Sequence, residues 1–434
     1  MWSKIRSIWK IQELRNSILF VTGMLVIFRL VAHIPVPGVN VANLQAFISS
    51  NQIFGLLNIF SGGTIENFSI VMLGIAPYIT SSIIFQLLTM VVPSLEELSK
   101  EGESGQQKIN MYTRIVTVPL AALQAYGFIK LLNRSQAPIF TDLGEWKLAG
   151  MILTVTAGTI FLMWIGELIT EKKIGNGISL LIFAGIVASL PTAVQNAYVN
   201  YTPSDLYTYV LFGAIAIATI IGVVIISEGQ RNIPVSYAKQ IRGGRTLGGA
   251  QSHLPLRVNT AGVIPIIFAI SIILFPSMIS QFFVGKAGIL GRAAQFTINL
   301  FNNQLFYGIL YFLLVFGFTY FYTAVVFQPQ KIAENLQRQG GFIPGIRPGK
   351  ETEMYLAKTM TRLVFVGALF LSIIAVLPLL MRFVTSSQTL VFGGTSLLIV
   401  VGVALETFRQ IDAHRQSLRY DSFLKGGTAI RARG

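Results

Sequence analysis

The segment GLLNIFSGGTIENFSIVMLGIAPYITSSIIFQLLTMVVP, residues 55–93, decides how the rest of the chain is interpreted. It holds a short apolar piece, a break at Ser61-Gly62-Gly63, and then a run long enough to cross a bilayer. In a helix, four residues of this run share one stripe at the i, i+4, i+7, i+11 spacing: Ile75, Ile79, Ser82 and Gln86. Because Gln86 would lack partners in lipid, the stripe predicts the wall of a pore.

Composition sets the class of the protein. The chain has 434 residues, of which 53% are hydrophobic and 12% are charged. A soluble protein of this length would carry about twice that charged fraction. The continuous apolar runs predict an all-α polytopic membrane protein and argue against a β-barrel, whose strands alternate. The chain has no cysteine and three scattered histidines, which excludes disulfides, thiol catalysis and a Cys/His zinc site.

Ten membrane spans are predicted from hydropathy. They are 17–34, 69–92, 112–131, 148–169, 175–195, 207–227, 259–280, 304–327, 360–381 and 389–408. Most of the 33 lysines and arginines fall at the amino end, in the even-numbered loops or in the tail 409–434. The positive-inside rule therefore predicts that both termini are cytoplasmic. The segment 55–68 then lies on the outer side, either as an ordinary surface loop or as a loop that folds back into the protein and buries its apolar cluster.

Two short echoes predict an internal repeat of five spans. Span 2 and span 7 share G-x-x-P-x-I, at 74–79 and 262–267. Span 5 and span 10 share S-L-L-I, at 179–182 and 396–399. Spans five apart run in opposite directions, so the two pseudo-symmetric halves, 1–195 and 196–408, are predicted to be inverted relative to each other.

The echoes equate pairs of isoleucines at one depth in the membrane. Ile79 corresponds to Ile267 and Ile182 to Ile399, while Ile75 and Ile178 sit one turn away on the same faces. Taken singly, an isoleucine in a membrane helix usually faces lipid or packs against a neighbour. The coincidence of repeat position and depth favours an aliphatic ring instead.

Prolines and polar residues add to this interpretation. Pro77 and Pro265 occupy matching positions, where a lost backbone hydrogen bond would permit a hinge, although packing kinks are equally common. The spans contain no central ionisable group, as an ion-coupled transporter would need. Uncharged polar residues instead follow the spans, among them Ser82, Gln86, Gln124, Asn259 and Ser271. This pattern predicts a passive conduit and no enzyme or cofactor.

Two basic cytoplasmic loops are predicted, at about 228–258 and 328–358. In the first, Ile233, Val235 and Tyr237 alternate before a Gly243-Gly244 turn, which predicts a β-hairpin. The loops either obey the positive-inside rule and nothing more, or dock an acidic partner such as ribosomal RNA or a cytoplasmic motor.

Several motifs resemble the SecY family, the central subunits of the bacterial protein-conducting channel. They run in family order over nearly the whole chain: NIFSGG (58–63), PYITSSIIFQLL (77–88), KEGESG (100–105), TEKKIGNGISLLIF (170–183), AGVIPIIFA (261–269), GFIPGIRPG (341–349) and FGGTSLLIVVGV (392–403). The outer loops and the tail match loosely.

The resemblance implies an hourglass channel in the bacterial cytoplasmic membrane that opens toward lipid between spans 2 and 7. It implies a pore ring of Ile75, Ile79, Ile178, Ile182, Ile267 and Ile399. It implies a plug at about 55–68 that includes Leu57, Asn58, Ile59, Phe60, Ser61, Gly62 and Gly63. It assigns the polar residues of the spans to the lateral gate: Ser82, Gln86, Gln124, Asn259 and Ser271.

The resemblance also implies partners. These are SecE, a SecG-type small subunit, the SecA motor ATPase, the ribosome, and preproteins with their signal sequences. Arg347 occupies the position that engages the motor, and Arg242, Arg245 and Lys350 are further docking candidates. ATP would be hydrolysed by SecA, and segments of substrate would pass sideways into lipid. The alternatives are an inverted-repeat secondary transporter of a small solute and a structural scaffold subunit.

Overall fold

A computed structural model describes most of the chain. It covers residue 9 and residues 11–50, 58, 61–133, 139–140, 144–199, 206–237, 240–242, 245–247, 251–283, 288–385 and 394–431. Of the predicted plug, Leu57, Ile59 and Phe60 lie outside the described residues.

The described chain is mainly helical, with a small β-structure in its second half. The helices are α1 Gln12–Ala32, α2 Val41–Ser50, α3 Ala76–Val91, α4 Pro93–Lys100, α5 Glu103–Leu132, α6 Glu145–Glu171, α7 Gly177–Val199, α8 Leu206–Glu228, α9 Ile264–Phe283, α10 Ile289–Asn302, α11 Gln304–Val326, α12 Pro329–Arg338, α13 Lys350–Thr385 and α14 Gly394–Arg431. The strands are β1 Gln230–Tyr237, β2 Gln240–Arg242, β3 Arg245–Leu247, β4 Gln251–Arg257 and β5 Gly341–Phe342.

Each of the ten predicted spans overlaps one of these helices. Among the described residues, six helical stretches are long and apolar enough to cross a membrane, or seven if α3 and α4 count as one bent span. The apolar parts of α7 and α9, Gly177–Thr192 and Ile264–Ile273, are shorter. The prediction of an all-α polytopic membrane protein is confirmed.

The predicted second span begins later than expected. Ser69 forms an isolated bridge with Pro35, residues 70–75 form consecutive turns, and the helix starts at Ala76 and not at Ser69. Gly74 adopts a positive φ of 57°, which an L side chain rarely tolerates, and this stops the helix from extending backward. At the other end, Val92 is extended before Pro93, and α4 turns away from α3 by 100°.

The first of two compact units contains Met1–Tyr201, Leu274–Asn299 and Val403–Gly434. In it α3 packs on α5, α5 on α6, α6 on α7, and α1 lies against both α6 and α7. The turn segment, residues 61–75, contributes Ile65, Phe68 and Met72 to the main core of this unit. Phe68 is fully buried and meets Phe140 edge to face at 5.5 Å. The turn segment is therefore part of the packed unit and not a surface loop.

The second unit contains Thr202–Ile273 and Leu300–Gly402. Its helices α11 and α12 pack on α13, and β1 forms the centre of a sheet ordered β4-β1-β5. Ile233 pairs with Leu254 in the antiparallel β1–β4 ladder, which confirms the predicted pairing of the two alternating segments. The predicted turn residues Gly243 and Gly244 lie outside the described residues. Its alternating apolar side chains share a core with α12, α13 and the segment after β5.

Candidate functional site

Asn58 organises the tip of the turn segment. Its side-chain Nδ2 donates to Glu66 Oε2 at 2.9 Å, and its Oδ1 accepts from the Glu66 amide at 3.0 Å. Its carbonyl accepts from the Gly63 amide at 2.8 Å and from Ser61 Oγ at 3.0 Å. These four bonds tie Asn58 to Ser61, Gly63 and Glu66, so the described residues of the predicted plug are held together by hydrogen bonds of their own.

Two contacts hold that tip against helices of the first unit. Arg29 Nη1, in the last turn of α1, donates to the Gly62 carbonyl at 2.8 Å. Gly62 has a φ of 74° and lies directly on Gly185 of α7, so closely that a Cβ on Gly62 would overlap the Gly185 backbone. Arg29 and Gly185 were not among the residues predicted for the site.

The root of the turn segment is tied to the end of α1. Val36 donates its amide to Phe68 O at 2.9 Å, and Ile70 donates to Ile34 O at 3.0 Å. Ser69 Oγ donates to Val31 O at 2.9 Å. Since Val36 and Phe68 also lie in the main core, the root is fixed by both hydrogen bonds and apolar burial.

The predicted ring isoleucines fall in both units. In the first unit Ile75 and Ile182 are buried, and Ile79 and Ile178 are half-buried. Ile178 and Leu181 face Gly166 of α6. In the second unit Ile267 is half-buried and Ile399 is fully buried. Ile75 is not a helical residue, because it immediately precedes α3, but its carbonyl accepts from the Ile79 amide at 3.0 Å.

The G-x-x-P-x-I echo has the same local structure in both units. Gly74 and Gly262 both adopt a positive φ, 57° and 63°, and α3 and α9 both start two residues later. Pro77 and Pro265 are therefore each the second residue of a helix, where the amide has no intrahelical acceptor to lose. The expected loss of a helical backbone hydrogen bond at these prolines is therefore wrong. A hinge at Pro77 and Pro265 stays a prediction, but such a loss would not be its cause.

The S-L-L-I echo is also matched in structure. In both α7 and α14 the helix starts two residues before the serine, and the buried serines are Ser179 and Ser396. The match extends to a glycine three residues beyond the echo, Gly185 in α7 and Gly402 in α14. Gly185 receives Gly62, and Gly402 receives the side chain of Val263. In each unit this glycine makes room for the segment that leads into α3 or α9.

The polar residues predicted for the lateral gate have contrasting surroundings. Gln86 Nε2 donates to Ser82 Oγ at 3.4 Å, as their common stripe predicts, and Ser271 Oγ donates to Ile267 O at 2.9 Å. Gln124 is buried in α5. Gln86 Oε1 and Asn259 Oδ1 are buried and find no hydrogen-bond partner among the residues that the structure describes. A buried amide oxygen without a hydrogen-bond partner is costly in free energy.

The two predicted cytoplasmic loops form one body in the second unit. β5, from the second loop, pairs with β1, from the first, through Ser236–Phe342 and Tyr237–Gly341. The exposed Arg347 lies in the following segment, where its carbonyl accepts from Thr352 Oγ1 at 2.9 Å, and the exposed Lys350 begins α13. Arg242 and Arg245 pair through their backbones in the β2–β3 ladder, while their side chains lie outside the description.

Comparison with known families places this architecture. The family model for SecY matches residues 69–408. The chain belongs to the SecY family. It is 43% identical to the protein translocase subunit SecY of Halalkalibacterium halodurans over 435 residues, which cover 98% of this chain and 100% of the relative. The identity to the corresponding subunit of Corynebacterium glutamicum is also 43%, over 448 residues, with the same coverage.

Solved structures show that the fold is shared as well. A SecY channel studied for its plug domain superposes with a TM-score of 0.62 at 17% identity, covering 90% of each chain. Sec61 from the canine ribosome–channel complex gives a TM-score of 0.55 at 16% identity with the same coverage. Family and fold make the chain a multi-pass membrane protein and lend no support to a solute transporter.

Sequence reasoning on this SecY family member missed the residues that hold the turn segment. Arg29 carried a usable signal, because it is a guanidinium inside a predicted span, and such a group needs a partner. Gly158 and Gly185 carried none. Glycines are common in membrane helices, and only the packed structure shows that a Cβ on Gly158 would overlap Ile70 O.

Proposed function

We propose that the chain is the protein-conducting subunit of a bacterial translocase, a passive channel through which unfolded preproteins cross the cytoplasmic membrane. Apolar segments of the substrate leave it sideways into lipid. The observation that carries this proposal is the 43% identity over nearly the full length to translocase subunits named SecY. The shared fold with protein-conducting channels supports it.

The six isoleucines form the narrow seal of this channel in the proposal. Aliphatic side chains exclude water and ions without offering a passing chain any sequence-specific contact. Ile75, Ile79, Ile178 and Ile182 come from the first unit, and Ile267 and Ile399 come from the second. Ile79 and Ile267, and Ile182 and Ile399, occupy matching positions in their helices, which supports the repeat behind this proposal.

The segment at about 55–68, which includes Asn58, Ser61, Gly62 and Gly63, acts as the plug. A related SecY is described as having a plug domain that stabilises its closed state and maintains a membrane seal. Here Asn58 is hydrogen-bonded to Ser61, Gly63 and Glu66, and Gly62 rests on Gly185, so these residues form one small hydrogen-bonded unit.

Lateral release uses α3 and α9, which begin with the same glycine-turn geometry. Ser82, Gln86, Gln124, Asn259 and Ser271 form the polar part of this gate. Pro77 and Pro265 stand where each helix meets its preceding turn, and a hinge there moves the whole helix. The two inverted halves, 1–195 and 196–408, carry the gate, with both termini cytoplasmic because the basic residues cluster on that side.

The joint body of the two basic loops is a docking platform in the same proposal. Arg347 and Lys350 are exposed on it, and Arg242 and Arg245 lie in its hairpin. SecA and the ribosome bind there, SecE and a SecG-type subunit surround the spans, and SecA supplies ATP hydrolysis. The likeness to Sec61 of a ribosome–channel complex supports a ribosomal partner.

Site-specific crosslinking tests the channel directly. A photo-crosslinker at Ile79 is expected to capture a secretory chain arrested in transit, because this residue lines the proposed seal. The matched control is Ile115, an isoleucine on α5 with 59% of its surface exposed. No capture at Ile79, or equal capture at both positions, would contradict the channel.

A further inference from the structure

The charged side chain of Arg29, inside the first membrane helix, is hydrogen-bonded to the predicted plug. Arg29 lies in the last turn of α1, and its Nη1 donates to the carbonyl of Gly62, 33 residues further along the chain. A guanidinium at the end of a span is costly without a partner, and its hydrogen bonds to backbone oxygens are charge-assisted and short. The 2.8 Å bond is of that kind.

The contact is specific to the glycine that receives it. At φ 74°, Gly62 presents its carbonyl to Arg29 while its Cα rests on Gly185 of α7. A Cβ on Gly185 would lie 3.0 Å from Gly62 Cα, so even alanine at 185 would push the tip away. Helix α1 thus holds the tip by a hydrogen bond and helix α7 holds it by backbone packing.

The rest of the segment makes this one bond effective. The bonds of Asn58 to Ser61, Gly63 and Glu66 tie the tip, residues 61–63, together, so fixing Gly62 fixes the whole tip. The root begins at Thr64 and is anchored separately, because Thr64 Oγ1 donates to Met72 O, Ser69 Oγ donates to Val31 O, and Ile65 and Phe68 lie in the core. The tip can therefore leave Gly185 while the root stays in place.

We propose that Arg29 is a positioning residue that latches the plug tip in the closed state, with Gly185 as the surface against which the tip is latched. The proposal rests on the plug function proposed above for this loop. A chain entering the channel displaces the tip by breaking one charge-assisted hydrogen bond and one glycine–glycine contact. The anchored root then returns the tip to the same place after transit.

The experiment measures plug position and channel leak in proteoliposomes of the full-length subunit with its membrane partners. Because the chain has no cysteine, Ser61→Cys provides a single site for a membrane-impermeant maleimide. Arg29→Gln is expected to raise both the labelling rate at position 61 and the resting ion leak by about tenfold, as loss of a charged hydrogen bond predicts. Arg29→Lys keeps the charge and a group that can donate to the Gly62 carbonyl, and its effect is expected to be smaller.

A second variant disturbs the packing of Gly62 on α7 and leaves Arg29 unchanged. Gly185→Ala is expected to raise labelling and leak in the same direction as Arg29→Gln. The matched controls are Gly23→Ala, since a Cβ on Gly23 would meet no atom within 4 Å in the described part of the chain, and Arg15→Gln, which removes a charge from the exposed start of α1. Neither control is expected to change either readout.

The Gly62→Val variant distinguishes a failure of the latch proposal from a failure of the plug proposal. Its side chain cannot fit beside Gly185, so it opens the seal if this loop is the plug. A leak with Gly62→Val but control-level labelling and leak with Arg29→Gln would overturn the latch and leave the plug standing. Unchanged leak in all variants, Gly62→Val included, would overturn the plug and the latch together.

Discussion

The predicted ring isoleucines of the two echoes differ in burial. Ile399 is fully buried, whereas Ile79 is half-buried near the start of α3. In the proposed seal, a polar side chain at either position would give water a partner where aliphatic side chains exclude it. At position 399 it also leaves an amide without a hydrogen-bond partner in a closed site. The seal is thus expected to be more sensitive at 399.

Asparagine substitutions test this difference. Ile79→Asn and Ile399→Asn are expected to increase resting ion leak and to permit export of proteins with defective signal sequences, with the larger effect at 399. Ile79→Leu and Ile399→Leu serve as controls that keep an aliphatic side chain. Ion flux into proteoliposomes and export of a signal-defective reporter are the measurements. Unchanged leak and unchanged signal stringency in both asparagine variants would count against the ring.

Helix α6 illustrates how one element sets the position of another. Gly158 lets its backbone approach the carbonyl of Ile70, so the turn segment lies directly on the helix. Both belong to the first unit, whose core includes Met72 and Val155. A protein core transmits such a contact because it is close-packed and has little room to absorb an added methyl group.

Gly158→Ala is expected to lower the free energy of unfolding by about 1–3 kcal/mol, as overpacking in a core does. Gly150→Ala, in the same helix, is the control, since a Cβ there would meet no atom within 4 Å in the described chain. It is expected to be neutral or slightly stabilising, because alanine is a better helix former than glycine. Thermal unfolding of both variants in detergent gives the comparison. Equal midpoints would show that α6 can move away from the turn segment at no cost.

The molecule as a whole separates its charge from its membrane part. The formal net charge of +15 is concentrated in segments between and beyond the apolar helices. In the second unit two such segments share one sheet and one apolar core. Arg347 therefore projects from a folded body and not from an independent loop, which favours docking at a defined geometry.

Neutralising that body tests its role in docking. Arg347→Gln with Lys350→Gln is expected to weaken SecA binding by about threefold to tenfold at low salt, and by less at high salt, because exposed charges are screened. Arg292→Gln, in the exposed part of α10 on the predicted outer side, is the control. Binding constants measured at two ionic strengths decide the outcome. A loss that is independent of salt, or equal in the control, would argue against electrostatic docking.

The sequence by itself determined the helices, the hairpin and the family. Hydropathy over some twenty residues, alternation in 233–237 and short motifs in order are local signals, because a residue's period along the chain reports the environment of its own element. Both echoes correspond to matching helix starts in the structure for the same reason, since each motif lies within a single helix start. Even the late start of α3 had a local cause, the glycine turn before Pro77.

Only the tertiary structure decided which distant residues meet. Arg29 with Gly62, Gly62 with Gly185, and β5 with β1 join residues separated by long stretches of chain. No periodicity encodes such pairs, because they depend on how elements pack after each has formed. The structural role of a glycine likewise cannot be inferred from the sequence, because it depends on which atom a Cβ at that position would contact. The position of the tip of the turn segment against α7 is therefore decided by packing.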